Sequence, residues 1–127
     1  MEIDLGKHDA RFDVDARILH VRLKDEFTPA DYHSMREAYP QLFQAAGGEK
    51  FDIMFVVETN PIELSQETRN VIKEKGGLNK KYVNRIAIVG VSASMRMIAK
   101  ILVRFSGTKR YGFFKTEEQA IAWCQKD

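Results

Sequence analysis

Apolar and polar residues alternate near the start of the chain. Phe12 and Val14 are separated by an aspartate, and after a turn at 15–17 apolar and polar residues alternate again over 19–24. A period of two places successive side chains on opposite faces of a strand. We therefore expect a β-hairpin with one buried face in this part of the chain.

Two later segments are apolar almost throughout. They read FDIMFVV at 51–57 and RIAIVG at 85–90, and each has the length of a strand. Such runs are typical of interior strands that are covered on both faces. We therefore expect the two segments to be neighbouring parallel strands, and we expect a further short strand at 110–114.

The segments between these strands have helical spacing. Thr28, Pro29 and Asp31 form a start signal that predicts a helix over 28–46, with a kink at Pro40. The start signal of the second helix is Asn60 with Pro61 and Glu63, and Ser65 is a second possible cap. Ser92 or Ser94 caps the third helix, and Thr116 with Gln119 begins the last. The resulting order, ββαβαβαβα, indicates an α/β fold over residues 1–127: a single-domain mixed, largely parallel sheet with an N-terminal hairpin and packed helices.

The third helix, at 92–105, is apolar around most of its circumference. Its exceptions are Arg96, Lys100 and Arg104, whose i, i+4, i+8 spacing makes one basic line. This basic line is either a solvated edge, a surface for an anionic membrane or acidic partner, or part of a nucleic-acid surface. One stripe facing the sheet cannot use all of the apolar residues. We therefore expect a second copy of the protein, the first helix across a pocket, or lipid to cover the nonpolar flank.

The net charge of +2 conceals a difference between the two halves of the chain. Residues 1–63 hold seven basic and thirteen acidic side chains, a charge of −6, and residues 64–127 hold thirteen and five, a charge of +8. Such an asymmetry makes a dipolar surface unless the two halves interleave. Since sequence halves often interleave in α/β folds, we expect the charges to mix.

No segment carries a catalytic signature. His8, His20 and His33 lack the spacing of metal ligands, and we expect them on the surface, with His8 in an N-terminal tail. Asp52 and Glu58 flank a strand without a partnered base, so they do not make an acid/base pair. The sequence therefore predicts no catalytic residue, no cofactor and no metal, and it favours binding over enzyme activity.

Cys124 is the chain's single cysteine. It excludes an internal disulfide and fits a reducing cytoplasm. Cys124 shares an apolar stripe with Ala120, Ile121 and Trp123, so we expect the thiol to be buried and the indole to be largely buried. The N-terminus has no apolar signal region, and no apolar run approaches the roughly 20 residues of a membrane span, so we expect a cytoplasmic protein.

Three stretches of the chain together resemble a known family. They are DYHSMREAYPQL at 31–42, RIAIVGVSASMRMIAKIL at 85–102 and YGFFKTEEQAIAWC at 111–124. They are similar to the SpoIIAA-like proteins, which are bacterial relatives of the STAS domain with a core similar to that of CRAL-TRIO lipid-transfer proteins. The resemblance implies a SpoIIAA/STAS-like fold and a small binding or regulatory module, often with an apolar pocket beneath movable helices.

The chain departs from the resemblance at one place. STAS regulators that are switched by phosphorylation carry an Asp-Ser-Ser-Gly-like turn after the central strand, where this chain reads ETNPIELSQET at 58–68. Thr59 and Ser65 lie near that place and are the phosphoacceptor candidates, but neither has the matching surroundings. Ser65 is more simply interpreted as a helix cap.

We expect the binding site to be an apolar pocket between the sheet and the helices at 28–46 and 92–105. Its candidate lining residues are Tyr32, Met35, Tyr39, Met95, Ile98 and Leu102. The expected occupant is an apolar, lipid-like small molecule or a protein partner, and the protein is a candidate homodimer. The alternatives are a basic surface that binds nucleic acid or an anionic membrane, and a small enzyme of unknown chemistry. Nucleic acid is less favoured, because the chain has no RNP-type or helix-turn-helix pattern and its pI is about 8.7.

Overall fold

The computed structural model describes residues 1–58 and 64–126, apart from the side chains of Leu78, Phe105 and Ser106. The strands in these residues are β1 (Glu2–Leu5), β2 (His8–Asp13), β3 (Ile18–Leu23), β4 (Phe51–Val57), β5 (Val83–Val89) and β6 (Arg110–Phe114). The helices are α1 (Pro29–Ala45), α2 (Gln66–Lys75), α3 (Ala93–Ser106) and α4 (Glu117–Cys124), with a 3-10 helix at Gly76–Lys81. This architecture confirms the predicted α/β fold.

The six strands form one sheet, and their spatial order is the same as their order along the chain. β1, β2 and β3 pair antiparallel, whereas β3, β4, β5 and β6 pair parallel. The prediction that β4 and β5 are neighbouring parallel strands is therefore confirmed. The structure adds β1 to the predicted hairpin, and it ends β2 before Val14, which is 41% exposed.

The helices divide between the two faces of the sheet. Parallel crossovers are right-handed, and each step from β3 to β6 goes in the same direction, so α1, α2 and α3 are brought to one face. The larger core cluster joins these three helices to alternate strand residues such as Ile53 and Ile86. α4 follows the last strand and covers the reverse face, where Ala120 and Cys124 pack with Met54 and Ala87.

Side-chain caps begin three of the four helices. The Thr28 hydroxyl accepts the Asp31 N–H at 3.1 Å and Asp31 accepts the Thr28 N–H at 3.0 Å, which makes a capping box before α1. α1 then runs through Pro40 to Ala45 as one helix. Ser65 caps α2 and Thr116 caps α4. The start signal at 60–63 lies outside the described residues.

α3 begins without such a cap. Ser92 occupies the N-cap position, but its hydroxyl caps no backbone N–H and lies 3.2 Å from the Ser94 hydroxyl. Gly107, with φ 80°, ends the helix in the left-handed conformation that glycine adopts without strain. α3 is thus less firmly fixed at its start than the other helices.

His8 is buried in β2, so the prediction of a surface histidine in a tail is wrong. Its Nδ1 accepts the Lys24 N–H at 3.2 Å, which places the proton of the neutral ring on Nε2. Nε2 lies 3.1 Å from an Asp31 carboxylate oxygen and 3.2 Å from the Glu26 carbonyl oxygen. His8 therefore ties the sheet to the start of α1.

Arg85 holds the end of α4 against the reverse face. Its buried guanidinium donates to the carbonyls of Trp123 at 2.9 Å and Cys124 at 2.5 Å, and also to that of Lys126. The guanidinium carbon lies 5.7 Å from the centre of the Trp123 ring. The indole packs between Arg85 and Phe114 and is partly exposed.

Contrary to the expectation from the sequence, the charges of the two halves of the chain remain separate across the sheet. Since strand order equals chain order, residues 1–63 supply β1 to β4 and α1, whereas residues 64–127 supply α2, β5, α3, β6 and α4. The strands of the acidic half thus lie toward the β1 edge of the sheet, and the strands of the basic half lie toward the β6 edge.

Candidate functional site

A cavity of about 140 Å³ lies between the sheet and the helices of the larger core cluster. Alternate residues of the two central strands form its floor, with Ile53, Phe55 and Val57 from β4 and Ile86 and Ile88 from β5. These residues share a face because side chains alternate along a strand. The opposite wall comes from α1 and α3. All six residues that the sequence analysis assigned to an apolar pocket line this cavity: Tyr32, Met35, Tyr39, Met95, Ile98 and Leu102.

The two helices contribute differently to the walls of the cavity. α1 packs firmly, since Tyr32, Met35 and Tyr39 recur on one face and are all at most 4% exposed. Among the described side chains of α3, only Val103 is buried, and the short Ala99 lines the cavity. Protein interiors are otherwise closely packed, so an opening of this size shows that α3 fills the face incompletely.

Three of the residues around the cavity each carry a buried polar atom. The Tyr32 and Tyr39 hydroxyls and the Asn79 side-chain oxygen are buried without a hydrogen-bond partner. Burial raises the pKa of both tyrosines, so their hydroxyls stay protonated. The surface that faces the cavity is almost entirely apolar, so these three polar atoms lie behind it.

Sequence reasoning missed Asn79. It lies on the 3-10 helix, in the stretch GGLNKK, which has the composition of a solvated loop. The strand residues of the floor could have been found, because the period of two separates the face of Ile53 from that of Met54. No pattern in the sequence indicates that a short polar segment turns one side chain into the core.

The outer surface of α3 presents both charge and apolar area. Arg96, Lys100 and Arg104 are exposed, and the Arg96 guanidinium carbon lies 5.6 Å from the centre of the Phe113 ring. Met97 is 71% exposed and Ile101 is 48% exposed beside them. Within the described side chains, the nonpolar flank of α3 is thus left partly uncovered.

The phosphoacceptor candidates do not form a described site. The Ser65 hydroxyl accepts the Thr68 N–H at 3.1 Å and lies 3.0 Å from the Thr68 hydroxyl, as a helix cap does. Thr59 lies outside the described residues.

Several titratable groups with shifted pKa values lie on the reverse face of the sheet. Burial raises the pKa of the Asp52 carboxyl, whose oxygen accepts the Arg85 N–H at 3.0 Å. Glu58 pairs with Arg22 at 3.2 Å. Burial raises the pKa of the Cys124 thiol to about 12, and burial followed by the charge of Arg11 lowers the pKa of His20. Within residues 1–58 and 64–126, no three His, Cys, Asp or Glu side chains are grouped to hold a metal ion.

Comparison with known proteins gives a family match. The family model of the SpoIIAA-like proteins matches residues 18–125, from the start of β3 to the end of α4. No curated protein and no solved structure matches the chain significantly. No helix in the described part of the chain is long and apolar enough to cross a membrane. SpoIIAA-like proteins are often regulatory binding modules that interact with protein partners. Because the match covers most of its length, the chain belongs to the SpoIIAA-like family.

Proposed function

We propose that residues 1–127 form one non-catalytic binding module whose ligand is an apolar small molecule in the cavity between α1, α3 and the sheet. The cavity itself carries the proposal, because it is lined by large apolar side chains and has a volume of about 140 Å³. An engineered apolar cavity of about 150 Å³ in another protein stays dry and binds benzene. The cavity of this chain is therefore large enough for a ligand of similar size.

The volume sets the size of the ligand in this arrangement of the helices. Burying six or seven carbons at about 0.8 kcal/mol each gives roughly 5 kcal/mol, which corresponds to a dissociation constant on the order of 0.1–1 mM. A longer acyl chain needs more room, and α3 is the wall with the fewest buried side chains. Binding of lipid-like molecules is thus expected to displace α3, whereas benzene-sized molecules are expected to fit without displacement.

Toluene tests the cavity directly. Titration into the wild-type protein, followed by methyl NMR shifts and by the melting temperature, should give saturable binding that raises the melting temperature. Ala99→Leu places three more carbons in the cavity wall and should abolish the binding. Ala93→Leu makes the same change at an exposed position of α3 and should leave binding intact.

Two results would contradict the proposal. One is wild-type protein that shows no saturable response to toluene. The other is equal binding by both leucine variants, which would place the ligand elsewhere. Native mass spectrometry of freshly purified protein gives the mass of any ligand that co-purifies, and it shows whether the protein is a homodimer.

The outer surface of α3 favours a second candidate function, peripheral binding to an anionic membrane. The exposed side chains of Met97 and Ile101 lie beside the basic line of Arg96, Lys100 and Arg104. Apolar and basic side chains on one helix face are the combination that interfacial helices use. A nucleic acid would need the charges but not the methionine and isoleucine.

Vesicle co-sedimentation at low salt tests the membrane candidate. Charge reversal of the three basic residues to Glu should abolish binding to anionic vesicles, and Met97→Ser with Ile101→Ser should weaken it. Reversal of Lys109, Arg110 and Lys115 is the matched control, since it changes the net charge equally at exposed positions around β6. Absence of wild-type binding, or equal loss in the control, would exclude this surface as a membrane site.

A further inference from the structure

The sheet has two open edges, because its order runs from β1 to β6 without closing. An edge strand presents backbone N–H and C=O groups to which another strand can pair. Every residue of β6 is at least partly exposed, and so are three of the four residues of β1. No further strand in the described part of the chain pairs with either edge, so each can accept a strand from another molecule.

Hydrogen bonds at the start of the chain show which groups of β1 point outward. The Phe12 N–H donates to the Met1 carbonyl at 2.7 Å, and the Met1 amino group donates to the Phe12 carbonyl at 3.1 Å. Such pairs recur at every second residue of an antiparallel ladder, so the backbone groups of Glu2 and Asp4 face away from β2. Ile3 packs on the larger core cluster, so the two carboxylates lie on the reverse face of the sheet.

The same reasoning applies to the opposite edge. The Phe114 carbonyl accepts the Gly90 N–H at 3.3 Å, so it points back toward β5. Backbone groups alternate along a strand, so those of Tyr111 and Phe113 point outward. The rings of these two residues pack on the larger core cluster, which places the side chain of Arg110 on the reverse face.

The two edges carry opposite charge. Glu2 and Asp4 are exposed on β1, and Lys109, Arg110 and Lys115 are exposed along β6 or next to it. Within residues 1–58 and 64–126, no salt bridge involves any of these five side chains. Like charges keep two β1 edges or two β6 edges apart, which is a common protection of edge strands. They favour the pairing of a β1 edge with a β6 edge.

We propose that copies of this chain associate head to tail, with β1 of one copy added to the sheet beside β6 of the next. β1 and β6 run in the same direction, so a translated copy continues the parallel part of the sheet and keeps both faces. In the register that places Arg110 beside Glu2, Tyr111 lies beside Ile3 on the opposite face. The contact joins two different surfaces, so it builds a series of copies instead of a two-fold dimer.

Sedimentation velocity at low salt and rising protein concentration tests the association. A contact of about four backbone hydrogen bonds with an exposed ion pair corresponds to a dissociation constant on the order of 0.1–1 mM. The sedimentation coefficient should therefore rise as the protein approaches that concentration, and added salt should reverse the rise because it screens exposed charges. Wild-type protein that stays monomeric throughout this range would overturn the inference.

Charge reversal at one edge should prevent association, and mixing should restore it. Glu2→Lys with Asp4→Lys makes both edges basic, whereas reversal of Lys109, Arg110 and Lys115 to Glu makes both edges acidic. Each variant alone should associate at least about 5-fold more weakly than the wild type, because repulsion replaces attraction. An equimolar mixture should associate again, since each variant carries the edge that the other requires. A mixture that stays monomeric would contradict the pairing of these edges.

A control variant separates edge charge from net charge. Glu37→Lys with Glu74→Lys changes the net charge as the β1 reversal does, but at exposed positions on α1 and α2. This variant should associate like the wild type. Equal loss of association in the control would show that net charge governs the contact, and would refute the assignment to the edges.

A second matched pair tests the backbone contact. Asp4→Pro removes the outward N–H, whereas Asp4→Ala removes the same carboxylate and keeps the N–H; proline is tolerated at such edge positions. The proline variant should associate about 3- to 10-fold more weakly than the alanine variant, with melting temperatures showing that both are folded. Equal association would refute strand pairing. Loss of association in Met97→Ser with Ile101→Ser would place the contact on α3 and would also overturn the inference.

Discussion

Arg85→Met should loosen the attachment of α4 to the reverse face of the sheet. Methionine retains much of the apolar stem of arginine but removes the guanidinium that donates to the carbonyls of Trp123, Cys124 and Lys126. It also removes the cation 5.7 Å from the Trp123 ring. Trp123 and Cys124 end α4, where carbonyls lack a following helical turn to accept from, and the Trp123 carbonyl also accepts the Lys126 N–H at 3.2 Å.

The expected loss follows from the burial of these bonds. A hydrogen bond to a charged group contributes about 1.5–3 kcal/mol, and the bond to the Cys124 carbonyl is the buried one. The bonds at Trp123 and Lys126 are partly exposed to water, so their contributions are smaller. The variant also avoids the cost of taking a guanidinium out of water on folding, which offsets part of the loss and leaves a net decrease of about 2–4 kcal/mol in the free energy of unfolding. A domain stable by about 5–15 kcal/mol stays folded after this change.

Urea unfolding followed by two probes measures this effect. Circular dichroism reports the whole fold, and fluorescence reports α4, because Trp123 is the single tryptophan. In Arg85→Met the fluorescence should move to longer wavelength at a lower urea concentration than the circular dichroism changes. Arg110→Met is the control, since Arg110 pairs with Arg85 in the sheet register but is exposed. A loss below about 0.5 kcal/mol in Arg85→Met, as expected for the control, would refute the reasoning.

Three further predictions concern the same face of the sheet. Val56→Asp should unfold the domain, because it buries an unpaired carboxylate in the α4 core, and retention of a cooperative melting transition would contradict this. Burial lowers the pKa of His20, so the unfolded state binds a proton before the folded state does as the pH falls below about 6.5. The melting temperature should therefore decrease between pH 7 and 5, and His20→Gln should remove the part of this decrease that His20 causes. The pKa of about 12 for Cys124 leaves almost no thiolate at pH 8, so a thiol reagent should label the native protein far more slowly than the protein in urea.

The central strands and the inner face of α1 could be read from the sequence because each depends on local periodicity. The run at 51–57 is apolar at every position except Asp52, which indicates burial on both faces, and the structure places it between β3 and β5. Thr28 and Asp31 likewise predict the start of α1 from a spacing that only a capping box requires. Such patterns involve residues that are close together in the sequence, so they could be interpreted without knowing the tertiary packing.

The features that sequence reasoning missed depend on partners far along the chain. Residues 2–5 are too few to show a period, and β1 forms because β2 offers an edge at residues 8–11. His8 is buried because Lys24 and Asp31, 16 and 23 positions away, bond to its ring nitrogens. The 3-10 helix places the Asn79 side chain in the core, although the composition of this segment is typical of a solvent-exposed loop. None of these partners could be identified without the fold.

α3 links the cavity to the outer surface of the protein. Its inner face forms a wall of the cavity, and its outer face carries the basic line. A ligand that binds only when α3 is packed on the sheet stabilises that position, by an amount that grows with the ratio of ligand concentration to dissociation constant. Linkage is reciprocal, so a partner that binds Met97 and Ile101 and pulls α3 away from the sheet must weaken ligand binding by the same factor. The uncapped start of α3 and its few buried side chains keep the cost of that movement small. Occupancy of the cavity is then coupled to the binding of any outside partner that moves α3 away from the sheet.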